Sequence, residues 1–186
     1  MIHLTAKKQN QTKMRIFLVG YMGSGKTAFG KKLATFMEVK HIDIDTLIEE
    51  QEERSIREIF EEEGEDYFRK LERKKLHSCT AYNNVVISTG GGVPMYFDNM
   101  EWMNANGITV YLKTTPKALF SRLVNAKEER PIIQGKTEES LLEFIENHLG
   151  ERAPFYERAQ LTVDSLNWKK LNLAAFTEIL ETTYSK

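Results

Sequence analysis

The chain has 186 residues, with 26 Lys or Arg and 27 Asp or Glu, so its formal net charge is −1. This near-neutral balance gives no reason to expect a nucleic acid or a membrane surface as partner. The single cysteine, Cys79, excludes an internal disulfide, and no apolar stretch approaches the roughly 20 residues of a membrane span. We expect a cytoplasmic protein in which residues 1–13 form a polar N-terminal extension and residues 14–186 a single domain.

The first predicted strand and helix enclose a motif that binds phosphate. Residues 15–19 (RIFLV) are an apolar run, and residues 28–37 carry an apolar side chain at every fourth position, which is typical of a helix. Between them, residues 20–27 (GYMGSGKT) match the pattern G-x-x-x-x-G-K-[ST]. The glycines allow a tight turn with inward-pointing N–H groups, and the helix adds the positive end of its dipole. The motif predicts a nucleoside triphosphate site.

This phosphate-binding loop (P-loop) also assigns individual roles. Lys26 is expected to reach the β and γ phosphates and to act in catalysis, while the Thr27 hydroxyl is expected to bind Mg²⁺. The predicted nucleotide contacts of this loop are Gly23, Ser24, Gly25, Lys26, Thr27 and Ala28.

Two aspartates lie at the end of the second predicted strand, residues 40–43. Carboxyl ends of parallel strands build the site in open α/β sheets, and strand alternation would turn Asp43 and Asp45 to the same side. One carboxylate could support Mg²⁺, and the other could orient or deprotonate an acceptor hydroxyl. The alternative is that Asp45 caps a helix beginning at Thr46.

Three helices are predicted next, over residues 45–53, 55–63 and 65–79. The pair Ser55 and Glu58 has the spacing of a capping box and indicates the start of the second helix.

The third predicted strand, residues 85–88, leads into three glycines at 90–92. Glycines here would let the backbone approach a ligand closely, although a flexible turn is an alternative. Ser88 stands where P-loop enzymes usually carry an acidic residue, so Asp43 would carry more of the metal contact. Further strands are predicted over residues 109–112 and 159–163, and helices are marked by Leu141, Ile145 and Leu149 and by Leu173, Phe176, Leu180 and Tyr184. The alternation predicts an α/β fold with a five-stranded parallel sheet between two layers of helices.

The charged segment 127–137 (KEERPIIQGKT) is the least regular interior stretch. It has the composition of a surface loop, and a phosphate-transferring enzyme needs a closing lid to exclude water. Arg130 would then reach the phosphates when a lid over residues 126–137 shuts. A plain helix connection is an equally good interpretation.

Taken together, the motifs resemble the shikimate kinase family over nearly the whole chain from Met14. Besides the P-loop, the resemblance rests on DID at 43–45, SIREIFEEEGEDYFRKLE at 55–72, GGG at 90–92, ERP at 129–131 and RAPFY at 152–156. It implies a P-loop NTPase fold of the nucleoside monophosphate kinase type with strand order 2-3-1-4-5. It also implies a mostly monomeric, Mg²⁺-dependent enzyme that transfers the γ-phosphoryl of ATP to the 3-hydroxyl of shikimate.

The resemblance further implies roles at matching positions. Asp45 matches the aspartate that holds the acceptor hydroxyls and is the candidate general base, and Asp43 matches the one that holds Mg²⁺ through water. Arg69 and Arg152 match the arginines that bind the shikimate carboxylate, and Arg130 matches the lid arginine at the phosphates. The predicted substrate-binding residues are Asp45, Arg69, Gly90, Gly91, Gly92 and Arg152, and the predicted catalytic residues are Lys26, Asp45 and Arg130.

The sequence leaves alternatives open for the adenine contacts and for the identity of the phosphate acceptor. Arg122 is a possible equivalent of an arginine that clamps the base, but its spacing to Arg130 differs from the family pattern, and residues 164–170 contain no proline. A signalling GTPase is disfavoured because the chain has no N-K-x-D stretch after a strand. Another small-molecule kinase of the same fold, acting on gluconate or a nucleoside monophosphate, is the second interpretation.

Overall fold

Five parallel strands form one sheet in the computed structural model, which describes residues 14–125 and 137–184. The strands are β1 (Arg15–Val19), β2 (Lys40–Asp43), β3 (Val85–Ser88), β4 (Ile108–Lys113) and β5 (Leu161–Asp164). Their order is β2-β3-β1-β4-β5, which confirms the expected topology. Only β5 departs clearly from its prediction, because the Ala159 amide bonds to the Tyr156 carbonyl in a turn and delays the strand by two residues.

Helices cover both faces of this sheet. They are α1 (Lys26–Phe36), α2 (Ile44–Glu52), α3 (Ile56–Ser78), α4 (Asn99–Asn106), α5 (Pro116–Val124), α6 (Glu138–Tyr156) and α7 (Leu173–Tyr184). Helices α4 and α5 were not predicted; α4 has only eight residues, and the buried stripe of α5 consists of Leu119 and Leu123 alone. Among these helices, none is both long enough and apolar enough to cross a bilayer.

Helix α3 joins two predicted helices across a kink. Its start has the predicted capping box, in which Ser55 Oγ accepts from the Glu58 amide and the Glu58 carboxylate accepts from the Ser55 amide. Gly64, with φ 80° and ψ 174°, breaks the helical conformation where the sequence had divided residues 55–63 from 65–79. The axis of the second half of α3 therefore differs in direction from the axis of the first half.

Alternate residues of β1 enter two different cores. Phe17 and Val19 pack with the layer formed by α2 to α6, whereas Ile16 and Leu18 pack with α1 and α7. All four are at most 1% exposed, and each such side chain contributes roughly 1.5–3 kcal/mol of transfer free energy. The three-layer α/β/α arrangement is thus confirmed.

The central position of β1 decides where a site can form. The connection from β1 runs to β2 on one side of the sheet, whereas the connection from the adjacent β3 runs past β1 to β4 on the other side, so the strand order reverses between β1 and β3. The P-loop after β1, Asp43 at the end of β2 and the glycines after β3 consequently meet at one edge of the sheet.

Candidate active site

The P-loop presents backbone donors rather than side chains. Gly25 is the N-cap of α1 with φ 96°, a left-handed conformation that favours glycine, and no side chain caps the helix. The first turn of α1 also carries no acidic residue. Its amide groups and dipole are therefore available to an anion.

Lys26 lies folded against this same loop. The residue is 9% exposed, and its ammonium group donates to the Gly20 carbonyl at 2.7 Å and to the Tyr21 carbonyl at 3.0 Å. The charge sits beside the helix N-terminus, within the turn that a phosphate would fill.

Arg122 fastens the outer side of the P-loop. Its Nη1 donates to the carbonyls of Gly23 (3.1 Å) and Ser24 (3.0 Å), and Nη2 donates to the Ser165 carbonyl at 2.9 Å. The Ser165 hydroxyl also donates to the Ser24 carbonyl, at 2.6 Å. Trp168 lies next to the P-loop, since a Cβ built on Gly25 would be 3.7 Å from the indole nitrogen of Trp168.

Asp43 connects the P-loop to α2. Thr27 Oγ1 donates to Asp43 Oδ2 at 2.7 Å, and the Asp45 amide donates to Asp43 Oδ1 at 3.2 Å. The alternative in which Asp45 caps a helix from Thr46 is wrong, because Asp43 is the cap and α2 begins at Ile44. The alternation argument fails for the same reason: the strand ends at Asp43, and Asp45 already belongs to the helix.

The oxygen pair of Thr27 and Asp43 fits a hard divalent cation. Mg²⁺ takes oxygen ligands and usually keeps several waters, so one hydroxyl and one carboxylate beside bound phosphates are enough. Ser88, the β3 residue paired with Asp43, lies alongside and shares a hydrogen bond of 2.9 Å with His41 Nε2. Within the described ranges, no cluster of three His, Cys, Asp or Glu side chains is arranged to hold a metal by itself.

A separate cavity of about 200 Å³ opens beside the P-loop. Helix α3, the glycines after β3 and helix α6 form its walls, and the P-loop residue Met22 joins it to the nucleotide end. It is lined by Met22, Asp45, Ile56, Phe60, Phe68, Arg69, Glu72, Gly90, Gly91, Gly92 and Arg152. All the predicted substrate-binding residues therefore lie around one space.

The glycines in this wall admit charged groups that a side chain would displace. A Cβ on Gly90 would be 2.9 Å from Asp45 Oδ1 and closer still to Glu72, and one on Gly92 would be 2.6 Å from Arg69 Nη1. None of the three glycines has a positive φ. Close approach, rather than an unusual turn, thus requires glycine here.

Arg69 is held between two carboxylates. Its Nε and Nη2 donate to Glu65 Oε1 at 3.1 and 2.9 Å, and its Nη1 donates to Glu72 Oε2 at 3.0 Å. The side chain is only 12% exposed. Since each terminal nitrogen carries two N–H groups, both can still donate to a ligand carboxylate.

Glu72 is a site residue that the sequence analysis did not assign. Its side chain is 1% exposed, and burial raises its pKa to about 7, against the opposing charge of Arg69 and with a further rise from Asp45. The sequence did contain one indication that Glu72 is buried. Phe68, Glu72 and Leu76 follow each other at spacings of four, which places a carboxylate in the buried stripe of α3.

Arg152 enters the cavity from α6. Its guanidinium lies 6.0 Å from the centre of the Tyr21 ring, which links it to the P-loop. One turn before it, His148 Nδ1 shares a hydrogen bond of 2.8 Å with the Tyr21 hydroxyl, and one turn after it the Tyr156 hydroxyl donates to the Gly91 carbonyl at 2.7 Å. Arg130 and the lid segment up to residue 136 lie outside the described residues, so their predicted role stays a prediction.

Comparison with known proteins agrees with this geometry. The shikimate kinase family model matches residues 22–183. A shikimate kinase of Bacteroides fragilis is 53% identical over 146 residues, which are 78% of this chain and 82% of that protein. The crystal structure of shikimate kinase from Bacteroides thetaiotaomicron matches with a TM-score of 0.84 and 46% identity, over 90% of this chain and 98% of that chain.

A second solved structure is a shikimate kinase from Acinetobacter baumannii in complex with shikimate. It has a TM-score of 0.77 and 32% identity, over 90% of this chain and 96% of that chain. The motif, the strand order and these matches agree: the chain belongs to the shikimate kinase family.

Proposed function

We propose that the chain transfers the γ-phosphoryl group of ATP to the 3-hydroxyl of shikimate, yielding shikimate 3-phosphate and ADP on the route to chorismate and the aromatic amino acids. The observation that carries this proposal is one cavity, bordered by the P-loop residue Met22, whose lining includes two arginines and two carboxyl side chains. A small cyclic acid with several hydroxyls needs both kinds of group, one to anchor its carboxylate and one to hold its hydroxyls.

At the nucleotide end, the backbone of residues 23–28 would surround the phosphates. Lys26 would exchange its bonds to the loop carbonyls for the β and γ phosphates. Arg130 would be brought in by the lid and would balance charge on the migrating group. Thr27 and Asp43 would hold Mg²⁺, which when bound offsets the charge of the β and γ phosphates.

At the acceptor end, Arg69 and Arg152 would bind the shikimate carboxylate, with Gly90, Gly91 and Gly92 forming the wall beneath the ring. Asp45 would accept a hydrogen bond from the 3-hydroxyl and take its proton as the oxygen attacks the γ phosphorus. The bond from phosphorus to the β–γ bridging oxygen breaks in that step, and ADP leaves. Exclusion of water by the lid would prevent hydrolysis.

The proposal extends to how the protein works in the cell. We propose a single kinase domain over residues 14–186 that acts as a cytoplasmic monomer, without nucleic acid or membrane partners. The free thiol of Cys79 is buried, and burial raises its pKa to about 11, so it is poorly reactive. Sedimentation analysis with and without both substrates would contradict the monomer if it found a stable dimer.

A coupled ADP-release assay tests the activity itself. Shikimate, gluconate and nucleoside monophosphates are supplied in parallel with ATP and Mg²⁺, and turnover is expected with shikimate alone. NMR of the product identifies the phosphorylated hydroxyl, which we expect at the 3-position. Turnover with gluconate or a nucleoside monophosphate, and none with shikimate, would overturn the proposal.

A further inference from the structure

Tyr96 contacts the guanidinium of Arg69 from outside the cavity lining. It follows the short turn Val93–Met95 that leads away from the glycines. Its ring centre lies 4.2 Å from Arg69 Cζ, and its hydroxyl donates to Glu65 Oε1 at 2.6 Å. The segment after β3 therefore approaches Arg69 at two points, Gly92 and Tyr96.

Glu65 needs such a tether to stay beside Arg69. The side chain of Glu65 is 52% exposed, whereas that of Arg69 is 12% exposed. It directly follows Gly64, whose left-handed φ interrupts α3 and whose Cβ position meets no atom within 4 Å. Exposure and a neighbouring kink leave this carboxylate free to take other rotamers unless another group holds it.

The hydroxyl of Tyr96 supplies that hold. Glu65 Oε1 accepts from Tyr96 and from two nitrogens of Arg69, so one oxygen joins both side chains. The hydrogen bond from Tyr96 is the largest cause of a lowered pKa of Glu65, ahead of that from Arg69. With its pKa lowered in this way, Glu65 is ionised at neutral pH. It holds Nε and Nη2 of the guanidinium, while Glu72 holds Nη1.

We propose that Tyr96 is a positioning residue for the phosphate acceptor. Through Glu65 it holds the Arg69 guanidinium in the orientation in which the terminal nitrogens meet the carboxylate of shikimate. This inference rests on the proposed role of Arg69 as a carboxylate anchor and extends it to a residue that does not touch the substrate.

The substitution Tyr96→Phe tests the hydroxyl and keeps the ring against the guanidinium. We expect the KM for shikimate to rise about tenfold, as the loss of one hydrogen bond to a charged group implies, while the KM for ATP stays unchanged. Tyr67→Phe is the matched control, because it removes a hydroxyl from an exposed tyrosine on α3, the helix that carries Glu65 and Arg69. Its constants should equal those of the parent protein.

A mutant cycle separates positioning from a merely structural role. In a Glu65→Ala background, Tyr96→Phe should change the KM for shikimate no further, because the tether has nothing left to hold. With the carboxamide of shikimate as acceptor, the KM values of the parent and Tyr96→Phe enzymes should coincide. Equal effects of Tyr96→Phe in both backgrounds, or on both acceptors, would overturn the inference.

Arg69→Lys distinguishes the two levels of the proposal. If it leaves the KM for shikimate unchanged, the carboxylate is bound elsewhere and the anchor role of Arg69 fails. If it raises that KM strongly but Tyr96→Phe has no effect, the anchor stands and only the role of Tyr96 is overturned.

Discussion

The nucleotide end and the acceptor end of this site are built in different ways. The first is almost one continuous stretch, residues 20–27, whose backbone makes most of the cradle and whose carbonyls are braced by Arg122. The second is assembled from side chains on α2, α3 and α6 and from the glycines after β3. Backbone donors survive most substitutions of their own side chains, whereas each charged side chain of the acceptor end is a separate requirement. Substitutions at the acceptor end should therefore change acceptor constants and leave nucleotide binding intact.

The strongest test of this separation is Asp45→Asn. The amide keeps the shape but cannot take a proton, so kcat should fall about a thousandfold, within the usual range for a general base, while calorimetry finds the same affinity for ADP. Asp66→Asn, at an exposed position on α3, is the control and should retain full activity. Turnover near that of the parent enzyme would remove Asp45 from the proton transfer.

Arg152→Ala should have the next largest effect. Loss of a charge-assisted anchor should raise the KM for shikimate about 50-fold, and the KM for ATP should change little. Arg158→Ala provides the comparison, because Arg158 is an exposed arginine just beyond α6 that pairs with Glu101. A parallel rise in both KM values would mean that the two ends are not separate.

The same contrast explains what could be predicted from the sequence. The strand and the helix that enclose the P-loop were predicted because strand, turn and helix follow each other along the chain, and local sequence determines local backbone. The order of the strands and the roles of Arg69 and Arg152 came from the family resemblance, since isolated arginines on a helix are usually solvated.

The rest depended on packing between distant segments. Strand β2 ends at Asp43 as predicted, but the role of Asp43 as the cap of α2 was missed, because a strand pattern does not indicate a cap. Glu72 approaches Gly90, and Tyr96 bonds to Glu65, only because α3 lies against the connection after β3. The only local indication in the sequence was a carboxylate within the apolar stripe of α3, which indicates Glu72 but not Tyr96.

Gly90→Ala tests whether the glycine wall serves close approach. The added methyl group would lie 2.9 Å from Asp45 Oδ1 and closer to Glu72, and such overpacking costs about 1–3 kcal/mol. We expect a KM for shikimate about tenfold higher, with ADP affinity unchanged. Gly150→Ala is the control, because its Cβ meets nothing within 4 Å on α6, and there the variant should be slightly more stable. Normal acceptor binding by Gly90→Ala would show that the wall tolerates a side chain.

The smallest expected effect is spectroscopic and concerns the nucleotide end alone. The chain has two tryptophans: Trp102 stacks on His77 at 4.2 Å, whereas Trp168 lies beside Gly25 of the P-loop. In a Trp102→Phe protein, fluorescence therefore reports Trp168, and ADP should change its emission, whereas shikimate alone should leave it unchanged. Tripolyphosphate serves as the comparison, since it fills the cradle without a base. A change with ADP but not with tripolyphosphate would place the base near Trp168. A change with shikimate alone would show that acceptor binding alters the surroundings of the P-loop and that the two ends are coupled.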